Sequence, residues 1–226
     1  NHDPSVFEQY IKKYPELAKG DRIYSYIALA ALYNHDYAAA VEAYDNIDVL
    51  DKDMKANYMK ANYLRAEQLI SSGSYRKAIP CLKTAAYYSG KRSPFNQLSR
   101  YWLAESYYRS DDYVKAAEVY KTLYNNSALY GRPEGNLLPY DVAYCYFKSG
   151  AYPSSCEWFD VYLQSGDKSR RTDALTRKGD SYFIDKNYKD AIASYEEAIR
   201  SGGSANDLYP YYQAGLALSL TNKTKD

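Results

Sequence analysis

The chain has 226 residues, with 29 Lys+Arg against 28 Asp+Glu and a net charge of +1. That length can bury one ordinary core or two small ones. The charge balance gives no pull towards nucleic acid or an anionic membrane, and no run approaches the ~20 apolar residues of a membrane helix. Two His and three Cys are a thin supply for metal or nucleophilic chemistry, whereas tyrosine is abundant, at 30 against 5 Phe and 2 Trp.

The chain opens on Asn1 without a basic and then apolar leader. It therefore reads as a processed or excised piece whose N-terminus does not reveal its compartment. Residues Val6 to Tyr10, running on to Tyr14 and Pro15, read as the tail of a helix. A pattern then recurs: a small polar or Gly turn, Tyr, a small residue three positions on, and a large residue four beyond that. It appears as Tyr37, Ala40, Tyr44; as Tyr75, Ala78, Leu82; as Tyr113, Ala116, Tyr120; as Tyr152, Ser155, Phe159; and as Tyr188, Ala191, Tyr195. The anchoring tyrosines stand 38, 38, 39 and 36 residues apart. Such self-similarity is the mark of a repeat architecture.

An apolar stretch of helical period precedes each turn, such as Leu103, Ala104, Tyr107 or Leu175, Gly179, Tyr182, and another follows it, such as Ala116, Val119, Tyr120, Leu123. Each unit is thus a helix–turn–helix. Pro15, Pro94, Pro133 and Pro139 read as boundaries, while Pro80 falls inside a second helix, where it is expected to introduce a kink.

These units resemble tetratricopeptide repeats. The family's pattern has a small residue at position 8, matched by Ala28, Ala66, Ala104, Ala143, Gly179 and Gly215. It has Tyr at position 11, matched by Tyr107, Tyr146 and Tyr182, and a turn ending in Tyr at position 17. Ala31 and Leu69 at position 11 and Ser155 at position 20 depart from it, and the period exceeds the family's usual one. The resemblance implies an all-α, right-handed superhelical solenoid over 1–226. Its parts are a half-repeat 1–19, repeats at about 21–57, 59–95, 97–135, 136–171 and 172–207, and a half-repeat 208–226. Leu216, Leu218 and Leu220 are unlike a polar cap, from which the parent chain is expected to continue in at least one direction. The long repeats and the phrase from Phe7 to Pro15 are similar to bacterial cell-envelope repeat proteins. That similarity implies a periplasmic or envelope location, with the cytoplasm as the alternative.

About half of the tyrosines fall on packing positions. In such repeats the first helices line a concave groove, and the resemblance places Tyr63, Tyr101, Glu105, Tyr108, Arg109, Tyr140, Tyr144, Phe147 and Arg177 there, with Glu67, Lys148 and Asp180 as further charge. Tyr joins a rigid apolar ring to a polar tip and suits recognition. Three readings of this ladder stand: packing between first helices, a groove for a protein or extended peptide, or a glycan groove. The subtype that clamps a C-terminal carboxylate needs Lys and Asn at groove positions, where this chain has Tyr, Glu and Leu.

Catalytic patterns are missing. His2 and His35 have no spaced partner, and there is no phosphate-binding glycine loop. Cys81, Cys145 and Cys156 read as small packing residues, with a Cys145–Cys156 bridge as the alternative. The pairs Asp111-Asp112 and Glu196-Glu197 read as solvated surface. The stretch from Gly131 to Gly135 reads as a long inter-repeat loop, and Asn125-Asn126-Ser127 and Asn222-Lys223-Thr224 are formal glycosylation sequons. The expectation is a non-catalytic scaffold for a protein partner, without cofactor, metal, nucleic acid or membrane insertion. Glycan binding and self-association through uncapped ends are the alternatives.

Overall fold

The computed structural model describes residues 5–15, 22–91, 93–126, 129–202 and 208–223. The described residues form twelve α-helices and no strand: α1 Ser5–Lys13, α2 Ile23–Tyr33, α3 Tyr37–Asp45, α4 Lys52–Ser71, α5 Tyr75–Tyr88, α6 Pro94–Tyr108, α7 Tyr113–Asn125, α8 Pro133–Lys148, α9 Tyr152–Gln164, α10 Arg171–Ile184, α11 Tyr188–Arg200 and α12 Tyr209–Lys223. They fall into two compact units, Asn1–Ser110 and Asp111–Asp226. Within each unit, the helices from α2 onward that are adjacent in sequence pack on one another. The longest first helix is α4, with 20 residues, against a sequence expectation of about 14 residues per first helix.

Each of the five anchoring tyrosines is the first residue of a second helix, because the turn before it has one required geometry. Two residues upstream the backbone is left-handed every time: His35 at φ 61°, Gly73 at 73°, Asp111 at 65°, Gly150 at 80° and Lys186 at 61°. In the first of these turns His35 N–H donates to the Leu32 carbonyl at 3.3 Å and Asp36 N–H to Ala31 at 2.9 Å. That bond pair closes a helix with a left-handed residue and satisfies its last carbonyls. Asp36 and Asn187 then cap the following helices by accepting from Ala39 N–H and Asp190 N–H, satisfying first-turn donors.

The core follows the repeat positions. Ala28, Ala66, Ala104 and Ala143 are fully buried on first helices, as are Ala40, Ala78, Ala116, Ser155 and Ala191 on second helices, and the large side chains Tyr44, Leu82, Tyr120, Phe159 and Tyr195 are buried as well. Ser155 is tolerated among alanines because its hydroxyl donates to the Ala143 carbonyl at 3.0 Å, which removes the cost of burying it. Gly179 has the same role as the small alanines, and a β-carbon there would lie 2.6 Å from the Tyr195 ring. Tyr195 is pinned by its hydroxyl bond to Asp180, so Gly179→Ala should destabilise unit 2 by about 1–3 kcal/mol through overpacking. An unchanged urea midpoint would show that the ring can give way.

Three sequence expectations are corrected. Pro139 is not a boundary but a buried residue inside α8, which starts six residues earlier at Pro133. Proline fits that first turn because no intrahelical bond needs its N–H. The stretch Gly131–Gly135 is accordingly split between a turn and the helix start. Gly135 allows the turn to fold back, since a β-carbon there would lie 2.1 Å from the Leu129 carbonyl oxygen. Glu197 is not simply solvated either, because it accepts from Arg171 at 2.6 Å. Pro80 lies inside α5, as expected. The cysteines are free thiols, with Cys145 and Cys156 buried; burial pushes the Cys156 thiol up to about 11.

Candidate binding face

In unit 1, Tyr63 is a buried residue, edge-on to Phe95 at 5.5 Å. Burial, and then the charge of Glu67, push its hydroxyl up to about 12. Tyr101 and Tyr108 are half-buried on α6, the former edge-on to Trp102 at 5.7 Å. Glu105 pairs with Arg109 at 3.7 Å, and the Arg109 guanidinium lies 6.0 Å from the Tyr75 ring.

In unit 2 the structure brings the remaining four groove residues together. Tyr140 and Tyr144 lie one turn apart on α8, ring centroids 5.4 Å apart, with Phe147 6.0 Å beyond Tyr144. Spacings of three and four residues place them on one helix face. Beneath them Phe159 and Tyr162 of α9 are fully buried, with Tyr162 5.4 Å from Tyr140. The Tyr140 hydroxyl donates to Asp173 Oδ2 at 2.7 Å, tying α8 to α10.

Arg177, one turn after Asp173 on α10, is the centre of the polar part. Its Nη1 donates to Asp180 Oδ2 at 2.7 Å, and its Nε lies 3.5 Å from Asp173 Oδ1. Asp180 is buried, and its Oδ1 accepts from the Tyr195 hydroxyl at 2.8 Å and from the Tyr209 hydroxyl at 3.0 Å. The Arg177 guanidinium also stands 5.5 Å from the Tyr209 ring, within range of a cation–π attraction. A continuous series of contacts therefore runs Tyr140, Asp173, Arg177, Asp180, Tyr209 across three first helices.

Burial and the Asp173 bond raise the Tyr140 hydroxyl above its ordinary range, and burial with the Asp180 charge does the same for Tyr195. Tyr144 is raised by burial and by Asp173. These phenols stay protonated at neutral pH, so their hydroxyls are available as hydrogen-bond donors and their rings as platforms. Among the described residues no group of three or more His, Cys, Asp or Glu could hold a metal ion. No helix there is long and apolar enough to cross a membrane.

The sequence reading assigned no role to Asp173 or Tyr209, which both stand at position 2 of their repeats. The signal for Asp173 was its four-residue spacing from Arg177. Nothing local marked Tyr209, whose partner Asp180 is 29 residues away.

Residues 63–131 match the family model of the tetratricopeptide repeat. Its fold is that of a tetratricopeptide-repeat protein. The nearly identical TPR-like repeats of a kinesin light chain from Podosopora anserina have a TM-score of 0.54 at 14% identity, covering 82% of this chain and 96% of theirs. BtubC (BKLC) from P. vanneervenii has a TM-score of 0.52 at 14% identity, covering 88% and 89%. No curated protein matches the sequence. Tetratricopeptide repeats generally mediate protein–protein interaction.

Proposed function

We propose that this chain is a non-catalytic scaffold that holds a protein segment on the tyrosine-rich first-helix face of unit 2. The observation that carries this reading is the pre-set Arg177 cluster. Two carboxylates and an aromatic ring already fix the guanidinium, so a bound segment would meet an ordered surface at little entropic cost. Tyr144 and Phe147 offer half-buried rings beside it, the residue class that dominates interface energetics. Placement in a bacterial cell envelope is part of the proposal and rests on the repeat length and the phrase from Phe7 to Pro15 alone; fractionation of the source cells tests it.

The test of binding compares the native chain with Tyr144→Ala/Phe147→Ala as bait. A specific protein held by the native chain should bind the variant about tenfold more weakly or worse, with helical circular dichroism retained. Equal binding by a folded variant would move recognition elsewhere and sink the proposal for this face.

A further inference from the structure

A lysine ammonium meets a repeat tyrosine at two matching places in unit 2, and one of the two lacks a counter-charge. On α10, Lys178 stands 5.7 Å from the Tyr182 ring, and Asp160 of α9 pairs with it at 2.5 Å. Asp160 comes eight residues after Tyr152, the first residue of its helix, and Lys178 comes directly before the small residue Gly179. An acid on a second helix and a base on the next first helix thus neutralise each other beside the tyrosine.

One repeat earlier the same positions hold Lys121, eight residues after Tyr113, and Val142, directly before Ala143. Val142 is fully buried and brings no charge. Lys121 is half-buried, and among the described residues it has no carboxylate partner. Its ammonium donates to the Tyr146 hydroxyl at 3.3 Å, and lies 5.8 Å from the Tyr146 ring and 5.9 Å from the ring of Trp158 on α9. Glu118 on α7 and Glu157 on α9 are exposed, and neither pairs with it. Two rings attract a cation, but they do not neutralise it, and a charge drawn partly out of water without a counter-ion is costly.

The polar groups gathered here are all donors. The Tyr146 oxygen accepts from the ammonium, which leaves the phenol proton to donate elsewhere. The Trp158 indole N–H can only donate, and it has no acceptor among the described residues. Donors beside a positive charge suit an oxyanion. Next to them Tyr124 of α7 stands edge-on to Trp158 at 5.4 Å and is exposed, so an apolar surface adjoins the charged one.

We infer that the Lys121 cluster docks an acidic segment of a protein partner. A carboxylate of that segment takes beside Lys121 the place that Asp160 has beside Lys178, and a neighbouring apolar side chain lies on Tyr124. Charge complementarity assigns the occupant. This goes beyond the Arg177 face: Lys121, Tyr124 and Trp158 belong to second helices, and Arg177 already has two carboxylates of its own.

Fluorescence anisotropy at low salt tests this with a labelled peptide that alternates glutamate with leucine, and with the same peptide carrying glutamine for glutamate. The native chain should bind the glutamate peptide, and the glutamine peptide about tenfold more weakly or worse. Lys121→Met keeps the apolar stem and removes the charge, and it should lose the glutamate peptide by a similar factor, whereas Lys121→Arg should retain it. Tyr144→Ala/Phe147→Ala should bind the peptide like the native chain, so this reading and that of the Arg177 face can fail separately. Helical circular dichroism checks each variant, and Lys121→Gln replaces a Lys121→Met chain that does not fold. A native chain that binds both peptides equally or neither, or a folded Lys121→Met chain that binds the glutamate peptide as the native chain does, overturns the proposal.

Discussion

Asp180→Ala should lower the stability of unit 2 by about 3–5 kcal/mol, the size seen when one member of a buried charge pair is removed. Asp180 is buried and carries three bonds, from Arg177, Tyr195 and Tyr209. Deleting it leaves Asp173, at 3.5 Å, as the remaining carboxylate beside Arg177, strands the hydroxyl of the fully buried Tyr195, and takes from the Tyr209 hydroxyl its carboxylate acceptor while its bond from Gln213 remains. The stranded Tyr195 hydroxyl and the less compensated Arg177 charge account for most of the loss, because neither regains full hydration. Asp180→Asn should cost less, since an amide oxygen still accepts from the tyrosines. Tyr195→Phe should cost about 1 kcal/mol, the net worth of one hydrogen bond. Urea unfolding of the three variants checks the order, and an Asp180→Ala loss below about 1 kcal/mol would show that the network contributes little beyond solvation.

Asp180 also shows where sequence reading stops. The repeat frame was legible because it is set by local stereochemistry: a left-handed turn residue, Tyr two positions later, and a small residue wherever two helices approach closely. Those constraints appear in the amino-acid string at fixed spacing, and the helices start at the tyrosines that the spacing picks out. The start of α8 at Pro133 was among the boundaries read from the sequence, but it was not singled out, because Pro139 also resembles a helix breaker. Pro139 is buried within α8, a tertiary outcome that its residue type, a helix breaker, does not announce.

The candidate site was legible in its residue types and not in its contacts. Position counting put Tyr140, Tyr144, Phe147 and Arg177 on one surface, and unit 2 does bring them together. It did not show that the Tyr140 hydroxyl is committed to Asp173, 33 residues away, or that Tyr63 is buried. Whether a half-exposed tyrosine packs or presents its tip depends on which carboxylate the neighbouring repeat supplies. Spacing within one repeat carries no record of that.

The same tyrosine–carboxylate arrangement predicts a steep alkaline transition. Burial pushes the hydroxyls of Tyr44 and Tyr63 up to about 12 from an ordinary 10.0. Tyr140 and Tyr195 are also raised, by burial first, then by their contacts with Asp173 and Asp180. A raised folded-state value means that the native chain keeps a proton the unfolded chain gives up. The stabilising effect is therefore complete below the unfolded value of 10.0 and is lost as pH climbs from there towards about 12 and beyond. Each such tyrosine adds up to one proton to the difference between the two states, or about 1.4 kcal/mol per pH unit. Stability should stay level near neutral pH and then fall with a slope of several protons above about pH 10. Urea midpoints measured across this range, alongside phenolate absorbance, test it directly. Tyr63→Phe should flatten the slope by up to one proton while leaving the near-neutral plateau lowered only slightly, since the ring against Phe95 remains. A native chain whose stability is unchanged while its tyrosines ionise would mean that the buried hydroxyls are not held by the fold.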